Sequence, residues 1–167
     1  MTAKASVAIL MGSDSDYSVM ERTRQVLADF SVPCEVRVMS AHRTPDQVRK
    51  FVQKAPKRGI RIFIAAAGGA AHLAGAIAAQ TTLPVIGVPI ASTELQGADA
   101  LYSTVQMPPG VPVATVAIGK FGAANAGLLA VQILAIHDSG LQRKLLSYKT
   151  AMQEKVTKAD RELQAKL

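Results

Sequence analysis

From Ile62 to Thr93 the chain runs for 32 residues without an Asp, Glu, Lys or Arg. A charge-free stretch of that length belongs either inside a folded domain or across a bilayer. Its detail rejects the bilayer: Gly68, Gly69, His72, Gly75, Gln80, Thr81, Thr82 and Pro84 break the run, and alanine contributes little transfer free energy. The segment divides instead into strand, glycine loop, buried helix and second strand. A soluble chain with no membrane partner is expected.

The rest of the sequence alternates in the same way. Val7 to Met11 is an apolar run of strand length, and Tyr17 to Phe30 carries Val19, Met20, Val26, Leu27 and Phe30 on one side of a helix. A second strand is expected over Val36–Met39. Thr44 as N-cap and Pro45 at the first helical position open a helix through Lys54, which Pro56 and Gly59 punctuate. Strands then follow at Ile60–Ala66, Val85–Val88 and Val113–Ile118, with helices at Ala70–Gln80, Ala98–Val105 and Ala123–Ile136. Charge-free strands separated by helices predict a parallel sheet covered on both faces, an α/β class fold. At 167 residues one domain is expected, with residues 1–138 as the α/β core and 139–167 as an extra C-terminal helix. On that helix Leu141, Leu145, Met152, Val156, Leu163 and Leu167 form a narrow apolar line, suited to lying across another helix of the same or a neighbouring subunit.

Composition removes several function classes. Apolar residues make up 49% and charged residues only 19%, which argues against disorder. Aromatics at 4% and the lack of Trp argue against a stacking platform for single-stranded nucleic acid. A lone cysteine, Cys34, rules out an internal disulfide framework and thiolate metal clusters, and points to a reducing, cytoplasmic compartment. Three dispersed histidines without an acidic cluster have no metal-site spacing. The opening MTAKASVAILMG lacks signal-peptide form. The net charge of +7 raises nucleic acid again, but residues 140–167 hold seven Lys or Arg against three acids. A solvated helix face accounts for that concentration, and no nucleic-acid partner is expected.

In an open parallel sheet, ligands bind beyond the carboxyl ends of the strands. Three expected strands end in small or polar residues: Gly12-Ser13-Asp14-Ser15-Asp16, Ser40-Ala41-His42-Arg43, and Ala67-Gly68-Gly69-Ala70-Ala71-His72. Their convergence on one crevice outweighs any one of them. Gly12 allows close backbone approach before a helix N-terminus, where Ser13 and Ser15 offer hydroxyls to a phosphate. Asp16 suits a ribose diol, and at least one of Asp14 and Asp16 must face away from phosphate. Ordinary helix capping accounts for these residues equally well. Arg43 presents a planar fork matched to phosphate, or is simply a surface arginine. His42 can take and give a proton near neutrality, the chemistry of a general acid–base; a backbone-bonded loop histidine is the plainer alternative. His72 either binds substrate or orients its loop through a backbone bond. Gly68 and Gly69 clear room for a flat ligand, or for close packing of helix on sheet.

The strings MGSDSD (11–16), SAHRTP (40–45), AAGGAAHLAG (66–75), LPVIGVP (83–89), LYSTVQMPPGVPVATVAIG (101–119) and GAANAGLLAVQIL (122–134) together resemble the bacterial N5-carboxyaminoimidazole ribonucleotide mutases of purine biosynthesis. The likeness runs in order over about four-fifths of the chain, leaving out the Lys-rich end. It implies a three-layer α/β/α, flavodoxin-like subunit in a homo-octamer. The implied enzyme is an isomerase that moves a carboxyl from the substrate's N5 nitrogen to ring carbon C4, without metal or organic cofactor. His42 corresponds to the family's essential histidine. Ser13, Ser15, Asp16 and Arg43 correspond to its phosphate and ribose contacts. Gly12, Ser40, Ala41, Gly68, Gly69, Ala70, Ala71, His72 and Leu73 complete the substrate-binding set. One departure is Ala74, where the family commonly has proline. Two other readings stay open: a carboxylase adding CO2 directly to aminoimidazole ribonucleotide, and a flavodoxin-like nucleotide- or flavin-binding module. The scarcity of aromatics and the basic charge weigh against a flavin carrier.

Overall fold

The structure, a computed structural model, describes residues 4–167, so the first three residues of the span expected as one domain lie outside it. Five strands and six helices alternate among the described residues: β1 (Val7–Met11), α1 (Tyr17–Asp29), β2 (Cys34–Val38), α2 (Pro45–Arg58), β3 (Ile62–Gly68), α3 (Leu73–Ala78), β4 (Val85–Ile90), α4 (Ala98–Val105), β5 (Ala114–Thr115), α5 (Gly119–Ala135) and α6 (Ser139–Gln164). A 3₁₀ turn, Asp14–Asp16, leads into α1. The chain divides into two compact units, one running to Ala130 and holding the sheet, the other Val131–Leu167.

All strand pairs are parallel and the sheet order is β2-β1-β3-β4-β5. Val7 pairs with Cys34 on one side and with Ile62 on the other, so β1 and β3 are the central neighbours. This is the flavodoxin-like order, in which the connections leave β1 and β3 in opposite directions and open a crevice between their carboxyl ends.

Side chains alternate across each strand. Ala8, Leu10, Phe63 and Ala65 join a core with Val48, Phe51, Val52 and Ala55 of α2 and Leu73, Ala74 and Ile77 of α3. Val7, Ile9, Ile62 and Ile64, also fully buried, project to the opposite face. There α1 and α5 approach closely. Thr23 Oγ1 donates to the carbonyl of Ala123 at 2.7 Å, and a methyl on Gly127 would lie only 3.0 Å from Val26. Burial on both faces is why β1 and β3 read as uninterrupted apolar runs.

Element boundaries differ from expectation in several places. β2 begins at Cys34 and ends at Val38, because pairing with β1 starts directly after Pro33. α2 passes Pro56 and stops at Arg58, since a proline in the last turn forfeits a single helical bond. Gly59 ends that helix in the left-handed region, at φ 99°. α3 starts at Leu73 rather than Ala70, because Gly69 at φ 60° bends residues before it into a loop. β5 is cut to Ala114–Thr115 at the sheet edge, and α5 opens at Gly119 rather than Ala123.

In the second unit, Asp138 caps α6, its Oδ1 accepting from the amides of Gly140 and Leu141. Every residue from Leu146 to Leu167 is exposed. No helix among the described residues is long and apolar enough to cross a membrane.

Candidate active site

The loop after β1 is built around its own cap. The amide of Gly12 donates to the carbonyl of Ala66 at 3.1 Å, tying the ends of β1 and β3 together. Ser13 is extended and opens the 3₁₀ turn through a reciprocal pair: Ser13 Oγ accepts from the amide of Ser15, and Asp16 Oδ2 accepts from the amide of Ser13 at 3.2 Å. Ser15 Oγ donates to Ser13 Oγ, which donates to Asp14 Oδ1 at 3.1 Å. The two hydroxyls therefore satisfy one another and end on Asp14, which stands exposed on the outer side of the cap.

Asp16 is 5% exposed. Burial pushes its carboxyl above the usual range, the Ser13 amide opposes that, and the Asp14 charge adds to it. Its second oxygen, Oδ1, makes no hydrogen bond among the described residues.

The loop after β2 is a closed turn. Thr44 stands at the N-cap of α2 as expected, but its hydroxyl turns back rather than capping: Oγ1 accepts from the amide of Ser40 at 3.0 Å and donates to the carbonyl of Ser40 at 3.1 Å. Ser40 Oγ accepts from the amides of His42 and Arg43. This turn fixes where the next two side chains leave the backbone. Arg43 sends one arm of its fork to the carbonyl of Gly12 at 2.9 Å, joining the second loop to the first. His42 reaches the third loop, its Nε2 lying 2.8 Å from His72 Nδ1. His72 thus orients its ring against His42 rather than against a backbone carbonyl, a pairing between residues 30 apart that no spacing in the sequence announces.

These loops enclose a cleft of about 350 Å³, at the low end of the range for small-molecule sites. Gly12, Ser13, Ser15 and Asp16 line it from β1, and Ser40, Ala41, His42 and Arg43 from β2. Gly68, Ala70, His72 and Leu73 line it from the β3–α3 connection. Gly69 and Ala71, expected in the same set, do not line the cleft; Ala71 is buried in the loop. Two residues absent from the expected set complete the wall, Ala67 and Ser92. Ser92 follows β4, and a lone serine after a strand carries no distinguishing pattern.

Away from the cleft, Cys34 is half-buried and burial pushes its thiol up, an effect the nearby Arg24 charge reduces. No cluster of three or more His, Cys, Asp or Glu able to hold a metal occurs among the described residues.

The cleft can therefore hold an anion beside serine hydroxyls and a guanidinium, and present a proton-transferring imidazole to whatever lies above Gly68. Comparison with known proteins places nearly the whole chain in a family. A sequence model of the family described as AIR carboxylase matches residues 6–155. An N5-carboxyaminoimidazole ribonucleotide mutase of Haemophilus influenzae is 53% identical over 149 residues, covering 89% of this chain and 91% of that protein. One of the same name from Bacillus subtilis is 58% identical over 83% of this chain and 86% of its own length. The crystal structure of Treponema denticola PurE superposes with a TM-score of 0.86 at 30% identity, covering 94% of this chain and 97% of that one. Matched by the family model over nearly its whole length and by relatives at more than half identity, the chain belongs to the AIR carboxylase family.

Proposed function

We propose that this chain is an isomerase of purine biosynthesis that converts N5-carboxyaminoimidazole ribonucleotide into 4-carboxy-5-aminoimidazole ribonucleotide. The observation that carries the reading is the His42–His72 pair standing in the same cleft as Ser13, Ser15 and Arg43. The relatives named N5-carboxyaminoimidazole ribonucleotide mutase supply the substrate.

In this reading the phosphate takes over the hydroxyls of Ser13 and Ser15, which otherwise bond to each other and to Asp14, and adds the free edge of the Arg43 fork. Asp16 Oδ1 accepts from a ribose hydroxyl. The heterocycle then lies over Gly68 and Ala70, within reach of His42.

The chemistry balances without a redox partner. His42 as imidazolium gives a proton to N5, the N5–carboxyl bond breaks with its electron pair left on nitrogen, and CO2 is released into the cleft. The ring π electrons at C4 attack that CO2, forming the new carbon–carbon bond. Neutral His42 then removes the C4 proton, restoring aromaticity and its own starting state. His72 sets which nitrogen of His42 does this. When His42 Nε2 donates to His72 Nδ1, His42 Nδ1 carries the lone pair. Around Gly68 the wall of Ala67, Ala70 and Leu73 carries no charged side chain, which suits holding CO2 while it is unattached.

The test is to offer purified protein either the N5-carboxy nucleotide or aminoimidazole ribonucleotide with bicarbonate, and to follow the 4-carboxy product. Turnover of the first at low bicarbonate supports the mutase. The family's description favours a second reading, direct carboxylation; product formed only from the second pair would establish it. We also read the chain as a cytoplasmic homo-octamer. Support comes from the exposed apolar residues Met152, Val156 and Leu163 on α6, an apolar line suited to a neighbouring subunit. The single cysteine supports a reducing compartment.

A further inference from the structure

We infer that Ser92, at the carboxyl end of β4, is the hydroxyl that holds the migrating carboxyl group while it is transferred, an inference that rests on the mutase reading above.

The position of Ser92 follows from the sheet. Gly68 pairs in register with Ile90, so Ser92 stands two residues beyond β4, beside the floor of the cleft. Its side chain occupies the space a side chain at Gly68 would need: a methyl placed there would lie 1.8 Å from Ser92 Oγ and 2.8 Å from its Cβ. The absence of a side chain at Gly68 is therefore what lets this hydroxyl into the cleft.

Sheet order places Ser92 far from the anion-binding end. Ser13 and Ser15 follow β1 and Arg43 follows β2, while β4 lies beyond β3 on the other side. Two strand spacings, about 10 Å, separate the ends of β1 and β4. A nucleotide with its phosphate at Arg43 brings its heterocycle, not its phosphate, towards Ser92.

The hydroxyl is also held ready. Thr93 Oγ1 donates to Asp99 Oδ2 at 2.6 Å and accepts from the amide of Leu95 at 3.2 Å, and the amide of Gln96 donates to the Thr93 carbonyl. This stitching anchors the loop to the first turn of α4. Ser92 Oγ itself has no hydrogen-bond partner among the described residues. A hydroxyl rotor can donate to a carboxylate oxygen on N5, to CO2, and to the carboxylate on C4 in turn. It is suited to a group that changes its point of attachment.

The test uses the full-length enzyme with Ser92→Ala, turning over the N5-carboxy nucleotide in ¹³C-bicarbonate. Losing one hydrogen bond to a charged group predicts a fall in kcat of about tenfold, with KM changed less than about twofold. CO2 that is no longer held exchanges with solvent, so the 4-carboxy product gains ¹³C and free aminoimidazole ribonucleotide accumulates. Ser92→Thr, which keeps the hydroxyl, restores unlabelled product. If Ser92→Ala does not fold, Ser92→Cys, close in size but a weak donor, gives the same readout. Wild-type kcat with unlabelled product from the variant would overturn the assignment, as would a raised KM with unchanged kcat. Failure of the wild-type enzyme to convert the N5-carboxy nucleotide would instead overturn the mutase reading.

Discussion

His42 Nε2 and His72 Nδ1 meet at 2.8 Å, with their rings turned 89° to each other and their centroids 4.9 Å apart. An edge-on imidazole pair shares one proton along that line, so each ring dictates the tautomer of the other. His42→Asn removes proton transfer and is expected to lower kcat by about 10²-fold or more while nucleotide still binds. His72→Phe keeps the bulk but frees the His42 tautomer. It is expected to lower kcat and reshape its pH profile while leaving KM nearly unchanged. Stopped-time product assays across pH check both, and an unchanged kcat profile in His72→Phe removes the tautomer role.

Arg43 ties two loops together through the Gly12 carbonyl and faces the cleft. Arg43→Ala is expected to raise KM by tenfold to a hundredfold, on the order of the loss of one or two charge-assisted hydrogen bonds. Arg43→Lys recovers only part of this, because an ammonium cannot hold Gly12 and a phosphate with one planar fork. Initial rates over a wide nucleotide range separate KM from kcat.

Gly68 has no room for a side chain. The added methyl of Gly68→Ala would strike Ser92 and approach the Ile90 carbonyl to 3.1 Å. Overpacking of this kind costs about 1–3 kcal/mol, and the displaced Ser92 should reduce activity further. Combining Gly68→Ala with Ser92→Gly should recover part of the lost melting temperature without recovering kcat, as thermal denaturation and turnover on the same samples would show.

Asp16 ties stability to pH. Its carboxyl is raised in the fold, chiefly by burial, above the ordinary value of 3.8. The unfolded chain then binds fewer protons than the fold between the two values, so stability falls as pH climbs through that window and is flat above it. Asp16→Asn keeps an acceptor for the Ser13 amide and has no charge to bury. Its melting temperature is expected to be flat where that of the wild type declines, while its KM is expected to rise if Asp16 holds the ribose as proposed. Melting curves from pH 3 upwards on both proteins check the first expectation and nucleotide kinetics the second.

Much of this was written in the sequence. The apolar run at Val7–Met11, and the strand expected at Ile60–Ala66 and found at Ile62–Gly68, announced strands buried on both faces, because only parallel strands covered by helices on each side dispense with polar residues on both. The three polar strand ends announced the cleft that they line, because that is where a parallel sheet leaves its edge uncovered. Helix ends were less legible. Pro56 looks like a stop from sequence alone, yet Gly59, free to adopt a positive φ, ends α2.

What only the tertiary structure decided is which side chains meet. Apolar periodicity records whether each residue is buried, a property that every residue carries individually. The reach of His42 to His72, the turn of Thr44 back to Ser40, and the entry of Ser92 over Gly68 depend on sheet order and strand register. Those arise from pairing between segments distant in the chain, so no local pattern of residue types encodes them.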